Sequence, residues 1–72
     1  MGISEKIKIL LIRAGKSQKA LAEALGMSAE SFNNKLRRGS FDTKELEKIA
    51  KELNATYHFK AWFTLNDTGE EI

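Results

Sequence analysis

The stretch from Ser17 to Arg38, SQKALAEALGMSAESFNNKLRR, constrains this chain more than any other. It reads as two short helices, about 17–25 and 28–38, joined by a tight turn at Leu25-Gly26-Met27-Ser28. A serine opens each helix, because the hydroxyls of Ser17 and Ser28 can accept an amide hydrogen bond that a first helical turn leaves unmade. Gly26 can take positive φ without a Cβ clash, which ends the first helix and re-aims the chain. Leu21, Ala22 and Leu25 then form one inward stripe, and Phe32 with Leu36 another. The second helix keeps a polar outer face of Glu30, Ser31, Asn34 and Arg38.

The flanking segments read as support for this pair. Ile3, Ile7, Leu10, Leu11 and Ala14 recur at helical spacing and predict a first helix over about 3–14, stopped by Gly15. At 100° per residue, Ile9 and Ile12 point away from that stripe, and two isoleucines on one wet face ask for a cover. A fourth helix over about 43–53 is strongly signalled. Asp42 and Glu45 have the spacing of a capping box, and Phe41 and Leu46 that of a hydrophobic staple. Leu46, Ile49, Ala50 and Leu53 are its apolar stripe, and Asn54 is a left-handed C-cap candidate.

After Asn54 the period changes from helical to alternating. From Tyr57 to Leu65 every odd position is apolar, while His58, Lys60 and Thr64 alternate with them, which predicts one half-buried strand of about nine residues. Asn66-Asp67-Thr68-Gly69 is a turn, with Gly69 able to take positive φ, and Glu70-Glu71-Ile72 is left to pair back, closing a β-hairpin over about 56–72. Three residues cannot satisfy nine, so the segment near 57–61 is expected to keep a bare edge, blunted at most by Lys60. Trp62 is the one large apolar group on the polar face. Two outcomes stay open together: a homodimer through Tyr57, Phe59, Trp62 and Phe63, and a hairpin folded onto its own first helix over Ile9 and Ile12.

At 72 residues there is room for one domain, 1–72, whose core can be only marginally stable. With no cysteine there is no disulfide framework, thiolate metal site or cysteine nucleophile, which suits a reducing cytoplasm. No apolar run approaches the roughly 20 residues of a membrane span, no signal-peptide pattern is present, and Lys6 stands where a myristoylation motif needs Ser or Thr. The chain is expected to be soluble and unanchored. Its net charge of +2 hides an asymmetry: residues 1–40 carry eight basic and three acidic side chains, a net of +5, and residues 41–72 carry four and seven, a net of −3. Such a division points to a polyanion met by the N-terminal part, or to an ordinary solvated surface.

The residues Ser17-Gln18-Lys19, Leu21-Ala22, Leu25-Gly26-Met27-Ser28, Phe32 and Leu36 together resemble the Cro/repressor-type (XRE) helix-turn-helix family. The resemblance covers about residues 3–53, and the tail TLNDTGEEI is similar to those of some small bacterial or phage members. It implies a mainly α fold, a four-helix lambda-repressor-like helix-turn-helix domain with a C-terminal β-strand or hairpin. The implied function is sequence-specific binding of double-stranded DNA by a transcriptional repressor in the cytoplasm, with helix 28–38 in the major groove. Carried over position by position, Ala29, Glu30, Ser31 and Asn34 become base-reading candidates. Asn34 could pair with adenine, Glu30 could accept from a cytosine amino group, and Ala29 could touch a thymine methyl. Lys16, Ser17, Gln18, Lys19, Asn33, Lys35, Arg37 and Arg38 are the implied phosphate contacts.

Each assignment has a plainer rival. Glu30 is also the kind of first-turn acid that complements a helix dipole, and Lys35, Arg37 and Arg38 could be simple surface. Asn33 and Asn34 are poor helix formers, which argues that at least one is there for another purpose. His58 is a lone histidine with no metal partner in sequence, and Trp62 reads as packing rather than a stacking platform. No Ser-His-Asp constellation, phosphate-cradling glycine loop or metal-ligand spacing is present, so neither catalysis nor a cofactor is expected. The competing reading is a protein-interaction module, an antitoxin-like partner that uses the same scaffold and its hairpin.

Overall fold

The computed structural model describes residues 2–58 and 62–72. Four helices come first: α1 (Ile3–Ala14), α2 (Gln18–Ala24), α3 (Ala29–Arg38) and α4 (Thr43–Glu52). Two strands follow, β1 (Ala55–His58) and β2 (Trp62–Leu65). The helix pair begins as its serines require. Ser17 Oγ accepts from Ala20 N and Ser28 Oγ from Ser31 N, both at 3.1 Å. Gly26, at φ +71°, reverses the chain between α2 and α3, and Met27 N donates back to Ala22 O at 2.9 Å. α4 opens with the complete capping box: Glu45 N donates to Asp42 Oδ1 at 2.7 Å and Asp42 N to Glu45 Oε1 at 3.1 Å. Asn54 ends it at φ +55°.

The inward stripes of all four helices meet in one core. Ile7, Leu10, Leu21, Ala22, Phe32 and Ile49 are essentially inaccessible, and Leu11, Leu36, Leu46, Ala50 and Leu53 nearly so. Phe41 packs on this core with its ring 6.0 Å from that of Phe32, which bridges the entry to α4 and the middle of α3. α3 is held at its far end as well. Ser4 Oγ on α1 donates to the carbonyl of Leu36 at 2.5 Å, and a Cβ placed on Gly39 would meet Ser4 Oγ at 3.7 Å and Ile3 Cγ2 at 3.9 Å.

The single strand expected over 57–65 is two strands. β1 and β2 pair antiparallel with Ala55 opposite Leu65, Thr56 opposite Thr64, Tyr57 opposite Phe63 and His58 opposite Trp62. The expected turn at 66–69 is present, with Gly69 N donating to Leu65 O at 2.8 Å. The short return segment pairs with β2 on the edge away from β1: Phe63 N donates to Ile72 O at 2.9 Å and Ile72 N to Phe63 O at 2.8 Å. β2 therefore lies between β1 and the tail. The expected long bare edge is replaced by a four-residue β1 at the margin of the sheet, and Lys60 and Phe59, which figured in that expectation, lie outside the described residues.

Alternation sorts the sheet into two faces. Ala55, Phe63 and Leu65 are buried in the same core as α1, with Tyr57 and Ile72 packed against it, and the Tyr57 and Phe63 rings lie 5.3 Å apart. On the other face His58 stacks on Trp62, centroids 3.8 Å apart and planes 18° from parallel, while His58 Nε2 hydrogen-bonds Thr64 Oγ1 at 2.8 Å. The hairpin thus packs in cis, and a bidentate ion pair from Arg13 to Glu70 ties the end of α1 to the tail. Ile12 stays 78% exposed, so the expected cover does not reach it, and Ile9 is half-buried. No described helix is long and apolar enough to cross a membrane.

Candidate nucleic-acid interface

With Phe32 and Leu36 turned inward, a rotation of 100° per residue puts Glu30, Asn34, Arg37 and Arg38 on the opposite side of α3. Ala29, Glu30, Ser31, Asn33, Arg37 and Arg38 are exposed, and Asn34 is half-buried. These positions form a protruding helical face. A protrusion of this width is what a groove about 12 Å wide admits.

The polar groups on this face are not equally available. Ser31 receives the Ser28 hydroxyl at 3.0 Å, so the cap also orients its side chain and leaves its own O–H to donate outward. Asn34 Oδ1 accepts from Arg37 Nη2 at 2.7 Å, joining a residue expected to read bases with one expected to touch phosphate. Glu30 makes no hydrogen bond or ion pair among the described residues, and it lies in the first turn of α3, where the helix dipole favours an acid.

The basic residues divide in the same way. Lys35 Nζ is 2.6 Å from Glu45 Oε2, so one carboxylate both completes the α4 capping box and takes the ammonium that sequence reasoning assigned to a phosphate. Lys16 Nζ donates to the carbonyl of Glu52 at 3.0 Å, which satisfies one of the orphan acceptors at the end of α4. Both lysines act first as struts between elements. Gln18, Lys19, Asn33 and Arg38 are exposed, and Ser17 uses its oxygen as the α2 cap. Gln18 and Lys19 lie in the first turn of α2, and Arg38 lies in the last turn of α3.

The four residues expected at a dimer contact fare differently. Phe63 is fully buried in its own subunit's core, so its side chain has no surface left to offer. Phe59 lies outside the described residues. Tyr57 is half-buried against the core, and Trp62 is half-buried on the opposite face with His58. Among the described residues no group of three His, Cys, Asp or Glu side chains could hold a metal.

The link between Asn34 and Arg37 was missed by sequence reasoning. Its signal was the i, i+3 spacing of an amide and a guanidinium, a separation at which side chains on a helix are neighbours.

Comparison with known proteins adds two findings. Residues 8–60 match the family model described as the bacteriophage CI repressor helix-turn-helix domain, a span running from α1 through α4 and β1. Over 50 residues, 69% of the chain, the sequence is 40% identical to the repressor protein CI of Enterobacteria phage phi80. The matched part is 21% of that relative, so the chain spans about a fifth of its length. No solved structure gives a significant match.

Proposed function

The chain belongs to the bacteriophage CI repressor helix-turn-helix family, and from that premise we propose that it is a sequence-specific, double-stranded-DNA-binding repressor acting in the cytoplasm. α3 enters the major groove with Ala29, Glu30, Ser31 and Asn34 toward base edges, while α2 crosses the backbone. Gln18, Lys19, Asn33 and Arg38 meet phosphates, assisted by the amide groups at the start of α2 around Ser17. Lys16 and Lys35 contribute to the local positive field, although their ammonium groups are held by Glu52 and Glu45. The observation that carries the reading is the outward polar stripe of Glu30, Asn34, Arg37 and Arg38 on a helix capped at both ends and packed on the preceding one.

Binding of a randomised duplex library by fluorescence anisotropy, repeated across a salt series, tests this. Salt-sensitive binding with enrichment of particular sequences is expected, and its absence at low salt would sink the reading.

One such unit reads few base pairs, so the active species is proposed to be a homodimer that spans two half-sites about one helical turn apart. The hairpin is the proposed contact. Support comes from the His58–Trp62 stack, which lies on the sheet face away from the core, and from β1 lying at the sheet margin. Sedimentation should show a concentration-dependent dimer that Trp62→Ala dissociates. A monomer at high micromolar concentration would contradict it.

A further inference from the structure

Arg37 Nη2 donates to Asn34 Oδ1 at 2.7 Å. A guanidinium has donors and no acceptor, so this contact obliges the amide to present its oxygen to Arg37. What the two residues offer outward is then fixed. Asn34 Nδ2 contributes N–H donors, the free part of the guanidinium contributes more, and the pair carries a positive charge. Helical Cα–Cβ bonds tilt toward the N-terminus, so the long side chain of Arg37 lies back over the preceding turn. Its charged end is therefore held level with Asn34, where base edges are reached, rather than beyond the C-terminal end of α3 where the flanking backbone would pass.

The base such a unit matches follows from the major-groove edges. Adenine presents an acceptor at N7 and a donor at N6, while guanine presents acceptors at both N7 and O6. A cationic, donor-rich pair meets an acceptor at each position of guanine and a like donor at one position of adenine. Sequence reasoning gave adenine to Asn34 because it treated the amide as free to use both ends. With the oxygen turned to Arg37, that pairing loses its acceptor side.

We propose that Asn34 and Arg37 form one donor unit that selects guanine in the bound DNA, Arg37 contacting the base and Asn34 positioning the guanidinium. The inference rests on the DNA-binding reading and deepens it. Glu30 fits the same step: it lies one turn earlier on the same face, and its carboxylate is the acceptor that a cytosine amino group requires. The rival role for Arg37, a phosphate contact, needs its charge and not its fork.

That distinction is what the experiment reads. The 72-residue chain, with R37K, R37A and N34A variants, is taken through selection on a randomised duplex library, and the winning duplex is then compared with its guanine-to-adenine counterparts. Thermal unfolding confirms that each variant is folded. Wild-type protein should fix a guanine in the selected site. R37K, which keeps the charge, should lose discrimination at that position by roughly 5- to 150-fold with an unchanged salt slope. N34A should erode the same discrimination.

Three results would overturn the proposal. R37K with wild-type discrimination, or R37A weakening all sequences alike with a salt slope reduced by about one, makes Arg37 a phosphate contact. Intact discrimination in N34A removes the positioning role of Asn34. In each of these cases DNA binding itself survives. A wild-type protein that neither enriches a sequence nor responds to salt removes both this inference and the reading beneath it.

Discussion

α3 and α4 are both ten residues long, both opened by a side-chain cap and both anchored by a buried apolar stripe, yet their polar faces serve different ends. On α4 the polar groups stabilise the helix itself. Asp42 and Glu45 complete a capping box, and the second oxygen of Glu45 takes Lys35 from the neighbouring helix. On α3 the polar positions include two asparagines, which lower helix propensity by up to about 0.7 kcal/mol each relative to alanine, and a glutamate that has no partner among the described residues. The two asparagines cost α3 local stability and gain nothing inside the helix comparable to the α4 capping box, which fits the proposed role of this face in meeting DNA.

The largest effect tests what the two helices share. Phe32→Ala in α3 and Ile49→Ala in α4 each remove a side chain with no exposure, and each should cost about 2–5 kcal/mol in urea unfolding. A cost well under that for Phe32 alone would mean that α3 is not anchored as α4 is.

The next pair should pull the helices apart. Asp42→Ala breaks the capping box and should cost about 1 kcal/mol while leaving the DNA affinity of the folded protein unchanged. Asn33→Ala is expected to do the reverse, raising stability by about 0.5 kcal/mol and weakening DNA binding. Equal signs for the two substitutions in both assays would erase the distinction.

Smaller again is Lys35→Met. The pair with Glu45 is about a third exposed on the lysine side and a quarter on the glutamate side, so its loss should cost under about 1 kcal/mol and less as salt is raised. DNA affinity that falls far more than stability would return Lys35 to the phosphate contacts.

The smallest effect lies outside both helices. The Arg13 guanidinium, by hydrogen bonding and charge, holds the Glu70 carboxyl below the ordinary glutamate range. A lowered folded-state value means that the contribution is present above the unfolded value and is lost as pH falls through the folded one. Glu70→Gln should therefore lower stability slightly from neutral pH upward, where the ion pair is formed, and leave strongly acid pH almost unaltered, which flattens the acid limb of the pH–stability profile. Arg13, whose own value is raised, adds nothing in that window.

Much of this arrangement is legible in the sequence, because the helices announce their ends chemically. Ser17, Ser28 and Asp42 cap where expected, and Gly26 and Asn54 adopt the positive φ their positions asked for. The sheet was legible only in part. In the observed register each residue faces one of the same parity, 57 opposite 63 and 58 opposite 62, so the alternation of apolar and polar positions runs through the reversal without a break in phase. No Gly, Pro, Asn or Asp stands between His58 and Trp62 to mark it. The site was legible as a list of residues and not as a network. Spacing along α3 nominates Asn34, Lys35 and Arg37, but only packing decides that Lys35 turns to α4 and Arg37 to Asn34.

The hydrogen bond from Ser4 to Leu36 and the close seat of Gly39 on the start of α1 bear on how such a protein tolerates a wrong sequence. With its first turn capped by Ser28 and its last clamped to another helix, α3 has little freedom to tilt or slide. For a chain that reads DNA as proposed, misfit at one base pair cannot be absorbed by shifting the helix. It must be absorbed by the duplex, so the stiffness of base steps that no side chain touches enters the choice of site. A half-buried serine hydroxyl between two helices would then be felt in the mechanics of the nucleic acid.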